Sequence, residues 1–240
     1  MNLVSASQAN PAGITGTSEE TLFIWLDVLG FADAVDDESK YRELSSLLRK
    51  FQQLFNNSHK YETQIISDGI VLHVKDTKPE SIKSVFRDIA QKQLEFIIEN
   101  GYFIRGGIAL GSRFEDGGEN SLFVSNGLAR AVKLESSIVD WPIIGIDYKN
   151  IQRLRSMNRI DDEREFFGLK QGYNKNGQSI HFIDFIKNRP EYIALLYAKI
   201  SEFQDEKYQV IRNKYIWLLR YFLHTFNDEP IDGSLHGIVL

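Results

Sequence analysis

Apolar residues along this chain recur with two periods, and each period specifies a different kind of element. Thr21–Leu29 (TLFIWLDVL) is an almost continuous apolar run that ends at Gly30, the pattern of a buried strand feeding a turn. From Phe31 to Phe55 the period becomes helical, with Leu44, Leu47, Leu48, Phe51 and Phe55 marking one face. Tyr61–Val74 (YETQIISDGIVLHV) carries two β-rich arms of buried type around Ser67-Asp68-Gly69, which predicts a hairpin with a tight turn at its tip. Pro79 opens a helix to about Asn100, with Ile82, Val85, Phe86, Ile89 and Leu94 along one side. Tyr102–Leu110 reads as a strand interrupted by Gly106 and Gly107. Asp116-Gly117-Gly118 reads as a hairpin turn followed by a strand near Leu122, and Asn126–Ser136 as a helix. Pro142–Asp147 is a further buried strand, a strand pair surrounds Asn176-Gly177, and the chain is helical from about Arg189 to Phe226.

This order of strands, helices and hairpins predicts an α+β sandwich with helices packed on a mixed sheet. Residues 1–19 are rich in Ser, Ala, Gly, Thr and Asn without a period and read as a flexible arm. The aromatic residues of the last third (Tyr192, Tyr197, Phe203, Tyr208, Tyr215, Trp217, Tyr221 and Phe222) read as core packing or a subunit interface. Lys149–Arg159 reads as a solvated helix face.

Composition narrows the function. A net charge of -5 over 240 residues gives no general affinity for nucleic acid, although a local basic pocket is compatible with it. The absence of cysteine excludes disulfides and thiolate metal sites and fits a cytoplasmic location. No apolar run approaches the roughly 20 residues that span a bilayer, and no basic start precedes an apolar stretch, so neither a membrane span nor a secretory leader is expected. The five histidines are scattered without ligand spacing and read as structural or surface residues.

Two carboxylates remain as candidates for chemistry. Asp27 lies in an apolar strand, where an unpartnered charge is costly to bury. The cost falls if Asp27 sits at the strand's C-terminal end, facing a cation or an open cleft. Gly30 then allows a sharp turn and the close approach of a phosphate. Taken alone, Asp27 reads equally well as the cap of the next helix. Asp68 alone reads as an ordinary hairpin tip, because Asp-Gly is favoured there on conformational grounds. Adjacent strands in one sheet would bring both carboxylates to one edge, and two hard oxygen ligands suit Mg²⁺ or Mn²⁺.

FIWLDVLGF (Phe23–Phe31), ISDGI (Ile66–Ile70), IRGGIALG (Ile104–Gly111) and NGLARAVKLES (Asn126–Ser136) follow the order and spacing of the class III nucleotidyl cyclases. The chain resembles that family over about residues 20–185. It is most similar to the bacterial Pycsar antiphage cyclases, also in VDWPIIGID and in the KYIWLLRYF helix (Lys214–Phe222). The resemblance implies a ferredoxin-like cyclase domain over 20–185 with a helical extension, 186–240, packed on it. It implies two metal ions bridging Asp27 and Asp68, with the backbone carbonyl of Val28 as a further ligand. One ion activates the ribose 3′-hydroxyl toward the α-phosphate, and the other neutralises the triphosphate as pyrophosphate leaves. It implies a homodimer whose sites lie between subunits, with metals on one and base-reading residues on the other.

The resemblance also implies a substrate set: Phe31, Gln64, Arg105, Arg130 and Lys133. Cyclases that use purines read the base with Lys or Glu four residues before the second metal Asp, and Gln64 stands there. Gln offers a donor and an acceptor, which match a pyrimidine edge. A solvent-facing strand residue is the alternative. Purine cyclases also carry Asn and Arg where this chain has Ala129 and Lys133, so phosphate contacts fall to Lys133 or Arg130. Arg105 either reaches the phosphates or pairs with a nearby acid. The expected activity is conversion of UTP, ahead of CTP, to a 3′,5′-cyclic monophosphate. By the same resemblance, that product signals phage infection to a membrane or TIR-domain effector. A purine cyclase and an inactive nucleotide-sensing module are the competing readings. A two-metal nuclease would want a basic track, which the sequence does not show.

Overall fold

The computed structural model describes residues 20–56, 58–115, 123–158, 169–174, 176–186, 213–214, 216–218 and 220–221. The expected arm at 1–19, the Asp116–Gly118 turn and most of the C-terminal helical stretch lie outside the described residues.

The apolar runs become strands of one sheet. β1 (Thr21–Val28) lies between β3 (Gly69–Val74) and β4 (Ile104–Gly111), antiparallel to both, and β2 (Glu62–Ile66) pairs with β3 at the edge. The crossovers are helical: α1 (Phe31–Val35) and α2 (Tyr41–Asn56) after β1, and α3 (Pro79–Asn100) after β3. This βαββαβ unit with order β2-β3-β1-β4 is the ferredoxin-like arrangement. β7 (Ile144–Ile146) extends the sheet in parallel on β4. β9 (Ser179–Ile183) and β8 (Leu169–Tyr173) follow antiparallel, which makes a mixed sheet of seven strands. β5 (Arg113–Glu115) and β6 (Phe123–Ser125) form a separate small ribbon. The α+β expectation therefore holds.

Strand alternation gives the sheet two faces. Leu22, Ile24, Leu26 and Val28 of β1 join the main core under α2 and α3, where Leu44, Leu47, Phe51 and Phe55 point inward. Phe23, Trp25 and Asp27 point to the opposite face, where α4 (Asn126–Ser137) packs on β4 and β1. α4 starts where Ser125 Oγ accepts from the Leu128 amide at 3.1 Å, a side-chain N-cap. Its approach to the sheet is backbone on backbone. A Cβ added to Gly107 would lie 2.1 Å from the Ala131 carbonyl oxygen, and one at Gly111 would lie 2.3 Å from the Gly127 nitrogen.

Three expectations need correction. The helical stretch from Phe31 is broken, because Asp37 accepts bonds from the Ser39 amide and hydroxyl and starts a separate turn at Glu38–Lys40. β2 is not a buried-type arm: four of its five residues are exposed, because it is the sheet's edge strand. α5 (Tyr148–Asn158) has a solvated side, but its Ile151 and Leu154 are fully buried. Within the C-terminal stretch, Trp217, Leu218 and Tyr221 belong to a second apolar cluster, with Trp217 stacked on Trp141 and Tyr221 bonded to Asp184.

The glycine contacts separate two kinds of substitution. Gly107→Ala is expected to cost about 1–3 kcal/mol by overpacking, since only movement of helix backbone relieves the clash. Gly30→Ala meets open space and costs only the left-handed backbone, about 1 kcal/mol. Urea unfolding of the two variants checks the difference.

Candidate active site

Register, rather than proximity in sequence, assembles this site. Asp27 pairs with Gly69 on one side and with Arg105 on the other. Asp68 precedes Gly69 in the two-residue turn of the hairpin and so lies at the same sheet edge as Asp27. The expected meeting of the two carboxylates is what the topology produces.

The turn differs from its sequence reading in one respect. The positive φ, 57°, belongs to Ser67, while Gly69 is already the first residue of β3. Gly69 is needed for space: an added Cβ would lie 2.1 Å from the Trp25 ring, which covers this position. Ser67 holds a left-handed conformation that costs about 1 kcal/mol or more for a residue with a Cβ. The pair at the hairpin tip is thus a strained residue followed by a candidate ligand.

Val28 lies next to Asp27. The Leu29 amide donates to Phe103 O at 2.9 Å, so residues 27 and 29 direct their backbone groups to β4. By strand alternation, the N–H and C=O of Val28 point the other way, toward the Asp68 turn. Gly30 follows in the left-handed region at φ 83° with open space beside it. The ring of Phe31 is half-buried against the main core, so Phe31 offers the turn its backbone rather than its side chain.

The electrostatics are unusual for a strand end. Burial, then the charges of Asp68 and Glu135, push the Asp27 carboxyl from an ordinary 3.8 up to about 6, against the opposing pull of Arg105. Glu135 was absent from the sequence reading. It sits on the inner side of α4 with Gly127, Ala131 and Leu134, 5% exposed, and forms an ion pair with Arg105. Burial raises its carboxyl as well, partly offset by Arg105. Arg105 also lies 4.0 Å from Asp27, so it bridges the strand-end carboxylate and the helix carboxylate. The signal was present in the sequence: an acid on the apolar stripe of one element and a base inside the apolar run of another.

Other candidates are not gathered at Asp27 within one chain. Gln64 is exposed on β2 opposite Val71, two strand spacings from β1, about 10 Å. The Arg130 guanidinium donates to Leu110 O at 3.0 Å, and Leu110 lies beside Leu22, about 17 Å along the strands from Asp27. Lys133 is exposed on the outer side of α4.

Among the described residues, no group of three or more His, Cys, Asp and Glu is placed to hold a metal ion. The donors present are two carboxylates and a strand-end carbonyl. They fit an ion such as Mg²⁺, which takes one or two carboxylates and leaves other positions to water and phosphate. A dication would also offset the burial and the neighbouring acidic charges that raise Asp27.

No family model matches this sequence, and no curated protein matches it. Among solved structures the chain is similar to the guanylyl cyclase Cya2, at 12% identity over 70% of this chain and 91% of that one, with TM-score 0.46. It is similar to the guanylyl cyclase domain of a RhoGC fusion protein from the aquatic fungus Blastocladiella emersonii, at 14% identity over 70% and 95%, with TM-score 0.46. A bacterial light-regulated adenylyl cyclase is similar at 10% identity over 75% and 97%, with TM-score 0.47. At such identities the roles of individual residues rest on the geometry above.

The raised Asp27 carboxyl has a stability consequence. The folded state binds this proton more tightly than the unfolded chain does. Metal-free protein therefore loses stability as pH rises from about 4 to about 6 and stays at the lower level above that. Asp27→Asn is expected to stabilise the metal-free protein by about 1–2 kcal/mol at pH 8 and by little at pH 4. Urea unfolding at the two pH values checks this.

Proposed function

We propose that this protein is a metal-dependent nucleotidyl cyclase that closes a pyrimidine ribonucleoside triphosphate, UTP ahead of CTP, to its 3′,5′-cyclic monophosphate. The observation that carries the reading is the placement of Asp27 and Asp68 at one sheet edge, with Asp27 raised to about 6 by burial and by like charge. A fold that keeps two repelling acids half-desolvated favours a cation between them. The four sequence blocks that resemble class III cyclases fall on this edge and on the helix beside it.

Asp27, Asp68 and the Val28 carbonyl would hold Mn²⁺ or Mg²⁺, which when bound supplies charge neutralisation of the triphosphate and acidifies the ribose hydroxyl. Arg105, bridged between Asp27 and Glu135, holds a fixed positive charge beside the position of the phosphates. Gly30 keeps the turn open for their approach. Gln64 and Arg130 lie too far from Asp27 to serve it within one chain, and Lys133 is exposed on α4. They serve in this reading only if a second copy brings them across, which supports a homodimer with shared sites. In that dimer the exposed Gln64 amide reads the base, and Lys133 or Arg130 meets the phosphates. Among the described residues, no helix is long and apolar enough to cross a membrane. The product would act as a diffusible signal to a separate effector in antiphage defence.

Purified protein with Mn²⁺, offered each of the four ribonucleoside triphosphates, should yield cyclic UMP, and secondarily cyclic CMP, with pyrophosphate by mass spectrometry. Purine products alone would sink the pyrimidine assignment, and tight binding without turnover would mark a sensing module. Asp27→Ala and Asp68→Ala should each lower turnover at least about 1,000-fold while circular dichroism stays unchanged. Near-normal turnover in either would remove that residue from the metal site.

A further inference from the structure

Among the described residues, Arg105 is the cation beside Asp27, and it faces two acids. Its guanidinium forms an ion pair with Glu135 and stands 4.0 Å from the Asp27 carboxylate. The two acids differ in setting: the Glu135 side chain is 6% exposed and that of Asp27 is 22% exposed. The place of Glu135 is fixed by the tight seat of α4 on β4, since a Cβ on Gly107 would lie 3.1 Å from the Glu135 amide nitrogen. The position of Arg105 is fixed as the direct cross-strand partner of Asp27. Its Nε is buried without a hydrogen-bond partner, and one terminal nitrogen, Nη2, faces both acids.

We propose that Glu135 is a positioning residue that acts through Arg105. By drawing the guanidinium toward α4, it keeps Arg105 from closing on Asp27 and leaves that carboxylate open to a divalent ion. Without Glu135, the cross-strand acid is the nearest counter-ion for a half-buried guanidinium, and a charge-assisted Arg–Asp pair takes up the oxygens a metal needs. With Glu135 present, the Arg105 charge stays at the site, neutralised enough to tolerate a metal beside it and aimed where phosphate oxygens arrive. Only this last role rests on the cyclase reading; the effect on metal binding does not. The logic is that of outer partners that orient groups around a metal.

The test is Mn²⁺ binding to nucleotide-free protein, followed by electron paramagnetic resonance. Glu135→Gln should weaken binding about 10- to 100-fold, and Glu135→Asp should retain most of it. Arg105→Ala should bind Mn²⁺ at least as tightly as the unmodified protein, and adding it to Glu135→Gln should restore binding. Unchanged affinity in Glu135→Gln, or a double variant as weak as Glu135→Gln alone, would overturn the proposal. If Glu135→Gln does not fold, Arg105→Ala decides: weaker Mn²⁺ binding there refutes competition for Asp27. Protein that shows this Mn²⁺ pattern but cyclises no nucleotide would sink the cyclase reading and leave the role of Glu135 standing. Turnover with an unaltered Mn²⁺ affinity in Glu135→Gln would do the reverse.

Discussion

The site depends on how closely α4 sits on the sheet. Helix and strand meet backbone to backbone, with the Ala131 carbonyl over Gly107 and Gly127 over Gly111. Contact at that distance excludes any side chain larger than hydrogen at these positions. It brings the inner stripe of α4 directly onto the row of residues beside β1. Glu135 is part of that stripe, so the same packing that closes the core delivers an acid to Arg105. Had the helix ridden one side-chain layer higher, Arg105 would have had Asp27 as its nearest counter-ion.

The cost of the arrangement is visible in the same place. Three acids and one base share a partly dry corner, and Asp27 carries the penalty as a carboxyl pushed up to about 6. Ser67 adds backbone strain at the neighbouring turn. A hydrophobic residue at position 27 would fit the apolar pattern of β1 better than the one present. Polar groups kept against their local preference mark where selection for function has overridden stability. One such group of residues lies at the strand-end edge that holds Asp27 and Asp68.

The opposite end of the face has a different character. His73 stacks on Phe23 and lies among Thr21, Glu62 and Arg113, a network that ties β3 to its neighbours. Burial holds the histidine below its ordinary value. This agrees with reading His73 as structural. The contrast is physical: at one end opposite charges pair, and at the other the charges of Asp68 and Glu135 act against Asp27.

The sequence alone determined most of the described strands and helices and singled out the two aspartates, because each follows from local periodicity or from a charge out of place in an apolar run. Pro79–Asn100 was legible to the residue, and the hairpin around Asp68 nearly so. Which residues face one another was decided by the tertiary structure. The exposed edge position of β2 depends on what lies beside it in the sheet, and nothing within Glu62–Ile66 encodes that. The requirement for Gly69 comes from the Trp25 ring on another strand rather than from the turn it adjoins. Glu135 stands out on the apolar stripe of α4, but its partner lies on a strand brought under it only by the fold, so the pairing itself was not legible. Gln64, Arg130 and Lys133 show the converse: the family resemblance nominated them, and the structure places Gln64 and Arg130 roughly 10 Å or more from Asp27 and leaves Lys133 exposed on α4.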